Sequence, residues 1–229
     1  MLTAVVPEAP SNLRQMPATN STDALLRYRT KLVVEWDPLP ATRQGSSELR
    51  SYTVAIADAV AGSETEIEVS ALTSAHMFVT LVPGQDYTFR VKATNFVGAS
   101  EWSEYTEVRN PGVEPTRPGV ITFSSTTRTT ITYAFEGLIG LDTGGTDAYP
   151  IPITYHVFLS RNNGTDWEPL VSPTAAVSQT AEFLSPGHLY HFKYRGENAI
   201  GLVSEFSTAF WMRPGQIPSA PAAAPLLVA

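Results

Sequence analysis

The segment Leu81-Val82-Pro83-Gly84-Gln85-Asp86-Tyr87-Thr88-Phe89-Arg90 recurs as Leu184-Ser185-Pro186-Gly187-His188-Leu189-Tyr190-His191-Phe192-Lys193, 103 residues later (position 81 against 184). The match continues downstream. Asn95, Gly98 and Trp102-Ser103 reappear as Asn198, Gly201 and Phe206-Ser207, with one residue inserted. Ordered similarity at one spacing means that the chain holds two copies of one structural unit. With 229 residues, each copy has a little over 100 and can bury a core of its own.

Each copy reads as β. Lys31-Leu32-Val33-Val34-Glu35-Trp36 is rich in β-branched and aromatic residues and ends at Asp37-Pro38; Leu49 to Ile56 and Met77 to Leu81 are similar. Tyr87, Phe89, Val91 and Ala93 alternate with Thr88, Arg90, Lys92 and Thr94, a period of two that buries one face and wets the other. In the second copy Ile131, Tyr133 and Phe135, then Tyr155, Val157 and Leu159, then Tyr190, Phe192 and Tyr194 repeat this pattern. Gly, Pro, Asn and Asp clusters separate the runs, and no segment of helical length carries a 3.6-residue period. Short strands with regularly spaced turns predict an all-β sandwich in each half.

Leu-x-Pro-Gly-x-x-Tyr-x-Phe-x-Val-x-Ala-x-Asn-x-x-Gly-x-Ser-x-Trp-Ser, residues 81–103, resembles the late-strand signature of fibronectin type III domains. Trp36 stands where that family keeps a core tryptophan, Tyr52 where it keeps a strand tyrosine, and Pro7 to Leu13 looks like its proline-led first strand. In the second copy Tyr133 or Phe135 takes the tryptophan's place, Gly196 replaces Ala93 and Phe206 replaces Trp102. Gly144-Gly145 ahead of Pro150 to Tyr155 is similar to the family's approach to its third strand. The resemblance covers about residues 5–214. It implies two Ig-like, seven-stranded β-sandwiches in tandem, with Tyr87 and Tyr190 as tyrosine corners whose hydroxyls bond backbone near the Leu-x-Pro-Gly turn. Gly84 and Gly187 suit turn positions with positive φ, and Pro83 and Pro186 preset φ before them.

The domain boundaries expected are 1–112 and 113–215, with 216–229 as a linker or the start of a third domain. Asn110 to Gly119 is a short, stiff Pro/Gly joint, and Ile217 to Leu226 mirrors the opening of the chain, which suggests a piece of a longer array.

The chemistry is sparse. There is no cysteine, hence no disulfide, thiolate nucleophile or thiolate zinc site. The four histidines lack metal-site spacing; His188 and His191 fall on opposite faces of a strand. Glu64, Glu66 and Glu68 alternate along a strand as its solvated face. Asp142 to Asp147 places two carboxylates on a Gly-rich loop but lacks EF-hand spacing. Arg195-Gly196-Glu197 lies within a strand rather than at a loop tip. No nucleophile-elbow motif occurs. No cofactor and no catalytic residue are therefore expected. Net charge is −7, divided −4 over residues 1–112 and −3 over the rest, with no Lys/Arg run to suit nucleic acid or anionic lipid. No stretch reaches membrane-spanning length, and residues 1–7 are not a signal peptide.

Four features keep functional interest. Asn20-Ser21-Thr22 and Asn163-Gly164-Thr165 are N-glycosylation sequons. Ala99-Ser100-Glu101-Trp102-Ser103 is similar to the Trp-Ser-x-Trp-Ser box of cytokine receptors without its first tryptophan, with Arg90 or Lys92 placed to stack on Trp102. Phe210-Trp211 sets two large aromatics on opposite faces, so one should be exposed at an interface. The expected function is a non-catalytic spacer, adhesion or scaffold module. Its partners would be other proteins and neighbouring domains of the same chain. A cell-surface or matrix setting stands against two alternatives, an intracellular cytoskeletal or ciliary scaffold and an accessory segment of a larger hydrolase.

Overall fold

The structure is a computed structural model describing residues 3–16, 30–107 and 110–215. In the first copy, β1 (Ser11–Gln15), β2 (Leu32–Asp37), β3 (Leu49–Asp58), β4 (Glu64–Ser70), β5 (Ala75–Phe78) and β6 (Tyr87–Asn95) make two antiparallel sheets, ordered β1-β2-β5 and β4-β3-β6. Val34 and Trp36 from one sheet meet Tyr52, Val54, Phe89 and Val91 from the other in a closed core. The β6 pattern, buried at every odd position, is the alternation read from its sequence.

The third hydrophobic run is shifted from Met77–Leu81 to Ala75–Phe78. Thr80 takes a left-handed conformation (φ 60°), which no strand can continue, and Val79 and Thr80 are exposed.

The second copy has β7 (Thr122–Thr126), β8 (Ile131–Ala134), β9 (Ile153–Ser160), β10 (Glu168–Pro169), β11 (Ser178–Ala181), β12 (Tyr190–Asn198) and β13 (Phe210–Met212). They form sheets β11-β8-β7 and β10-β9-β12-β13 around a core that includes Tyr133, Phe135, Tyr155, Phe192 and Tyr194. The aromatic in the tryptophan's place is Phe135. It meets Tyr155 edge-on at 4.9 Å as Trp36 meets Tyr52 at 5.4 Å. The hydroxyls of Tyr155 and Tyr52 accept the backbone N–H of Leu138 and Leu39 respectively. The volume given up by exchanging Trp for Phe is refilled by Tyr194, which stands where the first copy has Val91 and stacks on Phe135 at 4.1 Å. Gly196 replaces Ala93 because a Cβ there would come within 3.1 Å of Ile153 and 3.2 Å of Leu138. Three compensating changes thus keep the core filled.

Six strands, not seven, are regular among the described residues of the first copy. The segment expected as its last strand runs beside β6 at a spacing of three. The N–H groups of Ser100, Ser103 and Thr106 donate to the carbonyls of Ala93, Val91 and Phe89, each at 2.8 Å. Their hydroxyls accept the N–H of the same three residues at 3.0–3.1 Å. Side-chain oxygens here replace the carbonyls of a regular ladder. The second copy repeats the device with Ser204 and Ser207 on Gly196 and Tyr194, then resumes a strand at β13. The inserted residue falls in the preceding turn, closed from Asn95 to Gly98 in the first copy and from Asn198 to Leu202 in the second.

By compactness the chain divides into residues 1–116 with 139–152 and 198–202, and residues 117–138 with 153–197 and 203–229. Among the described residues no helix is long and apolar enough to cross a membrane.

Candidate functional site

The outward faces of β4-β3-β6 and β10-β9-β12-β13 carry the polar and aromatic side chains of interest. In the first, Ala55 and Ala57 are small enough for side chains of the flanking strands to meet across β3. Arg90 reaches Glu64 at 2.5 Å and Lys92 reaches Glu66 at 3.1 Å, each pair diagonal in the register. Trp102, held between the anchoring Ser100 and Ser103, lies under both cations, 4.4 Å from the Arg90 guanidinium and 4.1 Å from Lys92 Nζ. Tyr105 adds a second ring under Arg90 and donates its hydroxyl to Glu64. Partial burial pushes the Glu64 carboxyl upward, but the Arg90 and Tyr105 hydrogen bonds outweigh it and hold the group below the usual carboxylate range. This face is an internally neutralised ladder, so Glu64 and Glu66 have partners within their own sandwich. The pairing was invisible in sequence because the partners are 26 residues apart and meet only through the strand order.

In the second sandwich Lys193 Nζ lies 4.1 Å from both Trp167 and Phe206, and Arg195 lies 5.1 Å from Phe206 and 5.8 Å from Phe158. Trp211 pairs in register with His191, on the same outward side, and is 63% exposed. Phe210 turns the other way and packs on the core, so it leaves the surface to Trp211. His156 meets Glu197 at 2.7 Å.

The remaining sites read from sequence are dispersed. The Tyr87 hydroxyl accepts the Val82 N–H at 3.1 Å, and the Tyr190 hydroxyl accepts the Ser185 N–H at 2.8 Å. Gly84 and Gly187 have φ of 83° and 73°. Asn163 is exposed in a left-handed turn (φ 59°) between β9 and β10. Asn20 lies outside the described residues. Asp142 accepts the Thr116 hydroxyl at 3.0 Å, and Asp147 accepts the Leu141 N–H at 3.3 Å. Among the described residues no three His, Asp or Glu side chains gather as a metal site. His188 binds the Arg161 carbonyl beyond one end of β12 while His191 lies within it. Arg195-Gly196-Glu197 is inside β12.

Sequence reasoning missed two buried asparagines. Asn95 Nδ2 donates to the carbonyls of Val5 (2.7 Å) and Gln44 (2.9 Å), while its Oδ1 accepts the N–H of Val97 and Gly98. Asn198 does the same with Val113, Thr143 and Leu202. The signal was the repetition of an asparagine at the end of an apolar alternation, where only a satisfied amide can be buried.

Residues 8–109 match the model of the fibronectin type III domain. Among solved structures, the chicken CNTN1 FN1-FN3 domains are similar at 15% identity and a TM-score of 0.45, over 93% of this chain and 69% of that one. Domains of this family are typically non-catalytic scaffold modules that mediate protein interactions. Residues 8–109 are a fibronectin type III domain, and the chain is a tandem of such β-sandwiches.

Proposed function

We propose that this chain is a non-catalytic interaction segment of surface or matrix adhesion type, built from domains at 1–112 and 113–215, with the outward face around Trp211 as its contact surface. One observation carries the reading. A tryptophan 63% exposed on a flat sheet face, beside cations already resting on aromatic rings, is costly to leave in water and typical of an interface anchor. The test is photo-crosslinking from p-benzoylphenylalanine placed at position 211 in native cells, against the same group at Leu72, which is 97% exposed on the other copy. A discrete protein adduct from position 211 alone is expected; equal or no adducts at both would refute the contact surface.

The exposed Asn163 turn supports the surface or matrix setting, because a sequon in such a turn is open to a glycosyl transferase. Native protein is expected to lose mass at Asn163 on N-glycosidase treatment. A bare asparagine would favour the intracellular scaffold instead.

A further inference from the structure

The connection between β9 and β10 turns on Asn162, Asn163, Gly164 and Thr165. The Thr165 N–H donates to the Asn162 carbonyl at 3.4 Å, and both central residues have positive φ, 59° at Asn163 and 81° at Gly164. This is the turn geometry in which Asn-Gly is favoured, and it holds the one Asn-Gly pair of the sequence. The two adjacent asparagines are held differently. Asn162 Oδ1 accepts the Asp166 N–H at 2.9 Å and the Ser160 hydroxyl at 3.0 Å, while its Nδ2 donates to Asp166 at 2.6 Å. The Asn163 amide is exposed and has no hydrogen bond among the described residues. One contact restrains the residue after it. The Gly164 N–H donates at 2.9 Å to Oγ of Ser160, a side chain only 1% exposed at the end of β9.

We propose that Asn163 is a site of spontaneous amide loss and that Ser160 gates the reaction. An exposed amide carbon is followed here by a backbone nitrogen that no Cβ shields. The Gly164 nitrogen gives its proton to hydroxide and attacks Cγ of Asn163. The Cγ–Nδ2 bond breaks, and Nδ2 leaves as ammonia with a proton from water, which restores the hydroxide. The resulting five-membered imide takes up one water. Opening at Cγ gives an aspartate, and opening at the backbone carbonyl gives an isoaspartate. One water is consumed and one ammonia released, with no change of oxidation state. While Ser160 Oγ accepts the Gly164 N–H, that nitrogen stays protonated and directed toward β9 instead of toward Cγ. Either product ends Asn163 as a glycan acceptor. An isoaspartyl link also adds a backbone carbon to a two-residue turn. It shifts the Gly164 carbonyl, which accepts the Trp167 indole N–H at 3.0 Å, and so loosens the ring beneath Lys193.

The test uses the full chain made without glycosylation and kept at neutral pH over days. Peptides spanning residues 161–168 are then weighed and assayed for isoaspartate with an isoaspartyl methyltransferase. Conversion is expected at Asn163 and not at Asn162. Ser160→Ala should convert about fivefold faster than the native chain, the factor that one net hydrogen bond is worth. Ser160→Cys, close in size but a weak acceptor, should also be faster. In strong urea, where the bond is absent from all three chains, they should share one rate above that of the folded native chain. Amide exchange along β9 shows whether each variant keeps its fold. Folded variants no faster than the native chain, or a native chain as fast folded as in urea, would overturn the gate. Conversion at Asn162 as fast as at Asn163, or none at Asn163 in folded Ser160→Ala, would overturn the site.

Discussion

Asn95→Ala is expected to destabilise the first sandwich by about 3 kcal/mol, at a position with no apolar packing role. The side chain is buried and makes four hydrogen bonds, two donated to Val5 and Gln44 and two accepted from Val97 and Gly98. Each is worth roughly 1 kcal/mol net, and a carbonyl stranded away from water costs more. Val97 is half-exposed, so its N–H recovers water and the total stays near 3 rather than above 4. Asn95→Asp is no remedy. It keeps the two acceptor bonds but turns a carboxylate oxygen toward two carbonyls. Urea unfolding of the full chain, followed through amide exchange in β6, measures this; a loss below about 1 kcal/mol for either variant would show that the end of the sandwich closes without the amide. The same change at Asn198 should weaken the second sandwich comparably.

Trp36→Ala should cost about 3–5 kcal/mol, the usual penalty for emptying a fully buried large aromatic site. The more discriminating experiment exchanges the two core solutions. Trp36→Phe leaves a gap, and Val91→Tyr alone overfills the same space. Together with Ala93→Gly they recreate the Phe135, Tyr194 and Gly196 arrangement, so the triple variant should recover most of the stability lost by its parts. A coupling energy above about 1 kcal/mol is expected for neighbours of this kind. Strict additivity would mean that the two cores are not alternative packings of one space. Burial pushes the Tyr194 hydroxyl up to about 12, and the oxygen has no hydrogen-bond partner among the described residues. What the second core requires at that position is therefore the ring.

The sequence exposed the architecture well, and for a definite reason. A buried strand face writes itself as a period of two, and β6 and β12 carry that period over nine residues each. The duplicated Leu-x-Pro-Gly-x-x-Tyr did the same for the turns. Contacts that depend on strand order were hidden. Nothing local in Glu64 or Glu66 indicates Arg90 and Lys92, because the pairs form only once β3 separates their strands by two alanines. The tryptophan's substitute was ambiguous between Tyr133 and Phe135, since both point inward; only the meeting with Tyr155 distinguishes them. The last strand of the first copy was over-read. The resemblance implied a seventh strand there, whereas Ser100, Ser103 and Thr106 stand three apart and serve as side-chain acceptors.

Those serines also bear on how such a chain behaves when crowded. A sheet's outermost strand normally offers a row of bare amides and carbonyls to any neighbouring molecule. On β6 the N–H groups of Phe89, Val91 and Ala93 are already occupied by the hydroxyls of Thr106, Ser103 and Ser100, and their carbonyls by the amides of those same hydroxyl residues. A passing strand would have to displace both hydrogen bonds at each of these three residues before it could pair with β6. The hydroxyl seam, with the exposed Glu101 and Glu104 beside it, thus resists intermolecular sheet growth along β6.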